Sequence, residues 1–359
     1  MTTSERAQAV ADYGFTERQA QFLVLVMRHA GVCVKRQYAA FAGIANGGEK
    51  CNAFFEKLVR RGFAVAADCI HKRARLYHVQ HRALYHAIGE PGSRYRRAVP
   101  TRLATQRLMR LDTALTTPDV EWLTTPAEKA AYLQTRTASE SLQRLPTAPP
   151  PPTPDLTKEF PGTLPIGVDR SGHVVLLYLA TVPWPDDFRT FVVTHTALLQ
   201  VTSSWTLRIV FPQTLRRVVE AYEAVVEEEL QSLLQADTIY DLKRYFFHRR
   251  RGTDLSAIPE PLRAFLVRCA QAFEGPRFTH LYKRWLTDEE TALRPVSPVI
   301  PEALASGRAR VECVVLPHVY EHLSPLVSRR RQRRRRVQNS EERGEQRPHG
   351  INPTLNPGP

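Results

Sequence analysis

The chain has 359 residues, 43% of them hydrophobic, which is enough to build a buried core and more than one domain. No apolar run approaches the roughly 20 residues that a membrane-spanning helix needs, and the first residues, MTTSERAQAV, lack the apolar segment of a signal peptide. The five cysteines are scattered without a Cys-x-x-Cys pair, as is typical of a reducing compartment. These features argue against a membrane partner and predict a cytoplasmic protein.

Positive charge is concentrated at the two ends of the chain. The net charge is +14 and the isoelectric point is about 9.9. Residues 1–110 contain 19 Lys and Arg against 7 Asp and Glu, residues 328–336 contain seven arginines, and residues 111–327 have a net charge of −4. Such asymmetry indicates a polyanionic partner, most often nucleic acid. The alternative is that the charge serves solubility alone.

The first 90 residues predict short helices and strands in a recognisable order. Thr16 and Gln19 form a capping-box pattern at the start of one helix, and Gly31 follows its end. The predicted elements are helices over 16–28, 35–43, 49–61 and 81–89, and strands over 32–34, 63–70 and 75–79. This order, with a tight turn at 46–48 and a basic loop between the last two strands, predicts a winged helix-turn-helix domain over residues 1–90.

The composition changes twice in the remaining chain. Residues 91–135 predict connecting helices, and residues 136–157, with the run PTAPPPPTP, predict a semi-rigid linker. Residues 158–327 predict an α/β domain, with a hairpin around the turn DRSG, helices over 188–202, 212–234, 238–248 and 261–273, and strands over 205–211 and 308–317. Residues 328–359 predict a disordered Arg-rich tail. The fold class expected for the whole chain is α+β.

The predicted helix 49–61 is apolar on one side and basic on the other. In a helix-turn-helix this third helix enters the major groove, its early residues reach base edges, and its flanks hold phosphates. The start of the second helix and the basic loop would contact the adjacent backbone, and the tail would bind phosphates without reading sequence. The predicted DNA contacts are Lys50 and Asn52 to bases, and to the backbone Lys35, Arg36, Lys57, Arg60, Arg61, His71, Lys72, Arg73, Arg75, Arg329, Arg330, Arg331, Arg333, Arg334, Arg335 and Arg336.

Two features leave other partners open. Glu49 and Glu56 lie near the proposed reading face and would repel phosphate, so a winged helix that binds a protein partner is an alternative. The short apolar stripe of helix 101–115 leaves open a homodimer.

The pattern FTERQAQFLVLVMRHAGVCVKRQYAAFAGI followed by CNAFFEKLVRRGFAV resembles winged-helix proteins of plasmids and integrating elements, in particular the replication-relaxation family. Over residues 15–88 it is also similar to MarR-type regulators. The resemblance implies a C-terminal domain with a restriction-endonuclease-like fold, onto which residues 161–212 can be laid. It also implies a role in transcription regulation or in plasmid replication or transfer.

A nuclease of that fold needs one acid on the hairpin and an acid-x-Lys on the next strand to hold Mg²⁺. Asp169 fits the first position, but the strand HVVLLYLAT has neither an acid nor a lysine, and Asp186 and Asp187 come only after it. We therefore predict a degenerate site with no catalytic residue, metal or cofactor. Stacking and charge contacts with nucleic acid fit Trp184, Trp205 and the aromatic-basic run KRYFFHRRR, residues 243–251. We nevertheless expect Phe246 and Phe247 to be core residues.

The sequence thus predicts a duplex-DNA-binding protein of a mobile genetic element, acting as a transcription regulator or as an accessory factor for replication or transfer. A metal-dependent nuclease or DNA-relaxation enzyme is the alternative from another class.

Overall fold

A computed structural model describes residues 1–67, 75–99, 101–132, 135, 164–202, 204–293 and 298–320. The chain forms two compact units. Of the described residues, 1–116 and 318–320 belong to unit 1, and the others, within 117–317, belong to unit 2. Each unit contains helices and a sheet, so the fold is of the mixed α+β kind that the sequence predicts.

In unit 1, helices surround a three-stranded antiparallel sheet. The central strand is β3, which pairs with β1 on one side and with β2 on the other. Its elements are α1 Thr3–Ala11, α2 Glu17–His29, β1 Val32–Val34, α3 Lys35–Ala42, α4 Glu49–Arg60, β2 Ala64–Ala66, β3 Leu76–Val79, α5 Arg82–Ala87 and α6 Thr101–Thr116. The helices and strands predicted between residues 16 and 89 are confirmed within the described residues, although β2 is shorter than the predicted strand 63–70, whose residues 68–70 lie outside them. Helix α1 was not predicted, because only two of its residues are buried and its apolar pattern is weak.

Aromatic side chains form the core that holds α4 in place. Phe54 of α4 lies 4.2 Å from Tyr38 of α3 between ring centroids, and Phe55 lies 4.3 Å from Tyr77 of β3. Phe22 of α2 packs on the same cluster. Each such pair adds about 0.5–1.5 kcal/mol beyond area burial. Since the apolar side of α4 is fixed against three elements, its polar side faces outward.

Helix α6 belongs to unit 1 and not to a connecting segment. Leu108, Met109 and Leu111 are fully buried, and the Gln37 amide of α3 donates to the Leu108 carbonyl at 3.1 Å. The Tyr320 hydroxyl donates to Asp112 of α6 at 2.7 Å, which brings the segment 318–320 onto the same unit. Unit 1 therefore extends past the predicted boundary at residue 90. In the apolar stripe that suggested a homodimer, Leu108 and Leu111 are buried within their own chain, and Leu103 and Leu115 are half-buried.

Unit 2 contains a five-stranded mixed sheet in the order β4-β5-β6-β7-β8. The strands are β4 Val120–Leu123, β5 Ile166–Asp169, β6 Val174–Leu179, β7 Trp205–Pro212 and β8 Ala309–Leu316. Strands β4, β5 and β6 are antiparallel neighbours, whereas β6, β7 and β8 are parallel. The predicted hairpin and the predicted strands at 205–211 and 308–317 are confirmed.

Strand β4 places the start of unit 2 well before the predicted boundary at residue 158. It pairs with β5 in the register Glu121↔Val168 and Trp122↔Gly167, so residues on both sides of the Pro-rich segment join one sheet. Residues 126–132 are helical and also belong to unit 2. The units divide near residue 117, and the segment predicted as an interdomain linker connects elements of the same unit. The linker residues themselves, 136–157, lie outside the described residues.

The helices of unit 2 pack on the sheet and on each other. The predicted helix 212–234 is a 3₁₀ helix, an α-helix and a π-helical turn in succession, and the predicted helix 188–202 is divided at His195. The last three helices were not predicted. The described helical elements are Asp186–Thr194, Thr196–Val201, Gln213–Val218, Val219–Val226, Glu227–Gln231, Ala236–Arg251, Glu260–Ala272, Pro276–Thr287, Glu289–Ala292 and Val299–Ala305. Among the described residues, no helix is both long enough and apolar enough to cross a bilayer.

Candidate functional site

Helix α4 presents an exposed polar face. Gly48 precedes its first turn, and the buried side chains Cys51, Phe54, Phe55 and Leu58 define the opposite face. The exposed side chains are those of Glu49, Lys50, Ala53, Glu56, Val59 and Arg60. Lys50 and Arg60 thus lie where the sequence predicts them, on an outward surface, with two glutamates on the same face.

Asn52 faces the turn before α4 and not the exposed face. Its side-chain amide donates to the Gly47 carbonyl at 2.9 Å, and its side-chain oxygen accepts from the Lys35 ammonium at 2.5 Å. Both polar ends of the side chain are therefore used in joining α4 to the turn and to the start of α3. The predicted base contact by Asn52 is not supported by this geometry, and Lys35 is held by the same interaction.

Arg36 forms an internal ion pair. Two of its guanidinium nitrogens donate to the two Asp112 oxygens at 2.7 Å each, and Asp112 is only 3% exposed. Burial lowers the pKa of Arg36, but the hydrogen bonds and charge of Asp112 outweigh burial and hold that pKa above its ordinary value. Arg36 is therefore a structural residue in this fold, and the phosphate contact predicted for it is not supported.

Lys57 and Arg61 join the end of α4 to the loop after α1. The Lys57 ammonium donates to the Gly14 carbonyl and lies 5.0 Å from the centroid of the Phe15 ring. Arg61, just after α4, donates to the Tyr13 carbonyl at 2.8 Å. Burial, followed by the charges of Arg61 and Arg60, lowers the pKa of Lys57. Arg61 stays exposed and Lys57 half-buried, so both add positive charge to this end of α4.

Arginines that the sequence analysis did not single out follow the same pattern. Arg18 donates to the Ala42 carbonyl at the end of α3, and Arg107 donates to the Ala30 carbonyl just after α2. The last carbonyls of a helix have no partner within it, and cationic donors there also favour the helix dipole. Part of the positive charge of unit 1 is therefore used to complete helix ends.

The remaining predicted DNA contacts are Arg75 and residues of two segments outside the described part of the chain. Arg75 lies half-buried immediately before β3. His71, Lys72 and Arg73 of the basic loop lie outside the described residues, as do Arg329, Arg330, Arg331, Arg333, Arg334, Arg335 and Arg336 of the tail.

The acids considered for a nuclease lie in two separate places. Asp169 accepts backbone hydrogen bonds from Ser171 at 2.8 Å and His173 at 2.9 Å, which is the role of an aspartate in a tight turn. Asp186 and Asp187 begin a helix and line an open cavity of about 720 Å³, together with His280, Lys283 and Asp288. No group of three or more His, Cys, Asp or Glu suited to a metal ion occurs among the described residues.

The aromatic residues of unit 2 divide into core and surface. Phe246 is fully buried as expected, but Phe247 is 43% exposed, and the expectation that it is a core residue is wrong. Trp205 is buried in the sheet, whereas Trp184 is 59% exposed. Helical spacing explains the difference for Phe247, which is rotated by about 100° from Phe246 and points away from the core.

Cys33 and Cys51 are buried in unit 1. Burial, and secondarily the nearby Cys51, raises the pKa of the Cys33 thiol well above its ordinary value. Burial also raises the pKa of Cys51. Both thiols are therefore protonated at neutral pH, as expected for structural residues.

Comparison of the chain with models of protein families, with curated proteins and with solved structures found no match.

Proposed function

We propose that the protein binds duplex DNA through unit 1, acting as a winged helix-turn-helix. The observation that supports this most directly is topological. Helices α2, α3 and α4 and the antiparallel sheet β1-β3-β2 follow the order of that motif, with α4 in the place of the recognition helix. The segment between β2 and β3, at the position of the wing in the motif, contains His71, Lys72, Arg73 and Arg75 in its sequence.

The exposed face of α4 has the size and chemistry for a major groove. A helix of 12 residues is about 18 Å long, and the small Ala53 lets the helix approach base edges closely. Lys50, for which the sequence predicts a base contact, lies in the first turn and Arg60 in the last, so the proposal assigns both to phosphates on opposite sides of the groove. Lys57 and Arg61 add charge at the second end while they hold α4 to the loop after α1.

The interactions of Asn52 and Lys35 would serve this function indirectly. Because they join α4 to the turn and to α3, they fix the orientation of α4 relative to α3. A recognition helix needs such rigid support to keep its contacts in register with the duplex. The proposed contact set is therefore smaller than the sequence predicts, and its described members are Lys50, Arg60, Lys57, Arg61 and Arg75.

We further propose that the seven arginines of residues 329–336 add sequence-independent affinity for phosphate, as the sequence indicates. With the resemblance to winged-helix proteins of mobile elements, this supports a transcription regulator or an accessory factor for replication or transfer.

The test is a salt titration of duplex binding by the full chain. We expect Lys50→Glu with Arg60→Glu to weaken binding of a labelled 30-base-pair duplex at least roughly tenfold and to lower the log–log salt slope by about 2, since each lost phosphate contact removes about 0.9. The measurement is fluorescence anisotropy between 50 and 300 mM salt. The matched control is Arg216→Glu with Arg217→Glu, an equal charge change at two exposed arginines of unit 2.

Equal losses in the two double variants would contradict recognition by α4 and would assign the affinity to general charge. If α4 instead binds a protein partner, the unaltered chain should capture that partner even at high salt and the double variant should not. The two proteins should then bind DNA with equal affinity. Magnesium-dependent cleavage of the duplex in the same titration would favour the nuclease alternative, for which Asp186, Asp187 and Lys283 around one cavity are the supporting observation.

A further inference from the structure

The helix Ala236–Arg251 of unit 2 has an aromatic and basic stripe on its exposed side. Its buried side, Ile239, Leu242 and Phe246, packs on Leu281 and Trp285. At 100° per residue, the exposed side brings five large side chains within an arc of about 100°. We call this set the aromatic-basic stripe, and its members are Tyr240, Lys243, Arg244, Phe247 and Arg251.

The two aromatic residues of the stripe have no role in the core. Tyr240 is 66% exposed and Phe247 is 43% exposed, although large aromatic side chains usually contribute to core packing. They are seven residues apart, which places them about 10.5 Å apart along the helix axis. Exposed aromatic side chains on one face are typical of a binding surface.

The two arginines of the stripe contact aromatic rings and not carboxylates. The Arg251 guanidinium lies 4.1 Å from the centroid of the Phe247 ring, and that of Arg244 lies 4.4 Å from Phe265. The ion pairs near this helix use other arginines, Arg250 with Glu289 and Arg268 with Asp241. Over the described residues, the charges of Lys243, Arg244 and Arg251 are thus not neutralised by an ion pair.

We infer that the aromatic-basic stripe binds single-stranded nucleic acid. Bases would stack on Tyr240 and Phe247, and the phosphates between them would contact Lys243, Arg244 and Arg251. Base–aromatic stacking combined with a cationic surface is the usual chemistry of single-strand binding. A duplex fits less well, because its base faces are already stacked and are hidden from the two rings.

A membrane surface fits the stripe less well than a single strand does. Helices that lie in the lipid interface insert a wide apolar face between lipid headgroups. In this helix the apolar face is already buried against Leu281 and Trp285, and only two rings separated by cations remain outside. Charge complementarity with phosphate and flat faces for bases therefore favour the nucleic acid.

The test compares two strands of equal charge, labelled dT20 and a 20-unit abasic strand, by fluorescence anisotropy with the full chain. We expect Tyr240→Ala with Phe247→Ala to weaken dT20 binding at least tenfold and to leave abasic-strand binding unchanged, because only bases can stack. The arginines of residues 329–336 attract both strands equally and cancel in the comparison. Leu255→Ala with Leu286→Ala, at two exposed apolar residues outside the stripe, serves as the matched control.

A second variant separates stacking from a general loss of structure. Tyr240→Phe with Phe247→Tyr preserves both rings and should retain dT20 affinity within about twofold. Equal affinities of the alanine variant and the unaltered protein for dT20 would overturn the inference, and so would equal losses on both strands. If the alanine variant lost binding to phosphatidylserine vesicles but bound both strands normally, the inference would also be overturned and the stripe would be assigned to a membrane surface. Duplex binding by α4 uses other residues, so either proposal can fail alone.

Discussion

Arg36 shows that an arginine predicted to contact phosphate can instead form a buried ion pair within unit 1. The sequence places it beside Lys35 at the start of a helix, where a free cation would meet phosphate. In the structure its guanidinium lies against Asp112 and 5.5 Å from the centroid of the Tyr320 ring. Burial and the charge of Asp112 raise the pKa of Tyr320, so its hydroxyl stays a hydrogen-bond donor to that carboxylate. The three side chains thus form one buried polar cluster.

We expect Arg36→Met to lower the free energy of unfolding by about 3–5 kcal/mol, because it leaves Asp112 buried without a cationic partner. Urea denaturation followed by circular dichroism measures this. Lys50→Met, which removes an exposed charge, should change stability by less than about 0.5 kcal/mol. An Arg36→Met protein of normal stability with greatly reduced DNA affinity would instead restore the sequence-based prediction that Arg36 is a phosphate contact.

Among the helical elements, α2 depends on the residue just beyond its end. Gly31 has φ of +70°, and a Cβ atom there would lie 2.2 Å from the Tyr95 carbonyl oxygen. The 3₁₀ turn Arg94–Arg96 therefore packs directly on the backbone at this point. Gly43, after α3, has a similar φ of +63° but no atom within 4 Å of the same position. Comparing substitutions at the two glycines therefore separates the cost of the left-handed backbone from the cost of steric overlap.

Gly43→Ala should cost about 1–2 kcal/mol, the strain of a left-handed backbone. Gly31→Ala should cost about 2–5 kcal/mol, because steric overlap with Tyr95 adds to that strain. The midpoints of urea denaturation of the two variants, compared with the unaltered protein, give the difference. Similar costs for both would show that the segment around Tyr95 moves aside easily.

Elements with strong local signals could be predicted from the sequence, and contacts between distant residues could not. Helix α2 has a capping box and a clear apolar face, and strands β6 and β7 are nearly continuous apolar runs. Strand β4 was missed because it has four residues, and its place is set by pairing with β5, more than 40 positions away.

The candidate site shows the same limit. The exposed positions of Lys50 and Arg60 follow from helical periodicity alone. The partners of Lys35, Arg36 and Lys57 lie 17, 76 and 43 residues away, so their use in internal contacts depends on the tertiary fold. Asp112 did leave a signal, since it lies on the same helical face as Leu108, Leu111 and Leu115. A carboxylate in an apolar stripe needs a buried partner.

At the scale of the whole molecule, the sheet of unit 2 defines where that unit begins. Strand β4 covers one edge of β5, and the packing is close at Gly167, where a Cβ atom would lie 2.4 Å from Val120. A fragment that begins at the predicted boundary, residue 158, lacks this strand and exposes the β5 edge. Exposed edges pair with other chains and promote aggregation.

A fragment of residues 117–317 should therefore melt cooperatively as a monomer, whereas a fragment of residues 158–317 should aggregate or melt at least roughly 5 °C lower. The reason is the loss of one ladder of backbone hydrogen bonds and of the side chains of β4. Size-exclusion chromatography and thermal circular dichroism measure both properties. Identical melting of the two fragments would show that β4 contributes nothing to the stability of the unit.

The contact of Tyr320 with Asp112 has a consequence for the newly made chain. Unit 1 is interrupted by all of residues 117–317, so Tyr320 is translated about 200 residues after its partner. At about 5–20 residues per second, this interval is roughly 10–40 s. During that time Asp112 has Arg36 beside it but lacks the phenol that completes its hydrogen bonds. Unit 1 thus reaches its final stability only after unit 2 has been synthesised, and a nascent chain that stalls in between holds it in a weaker form.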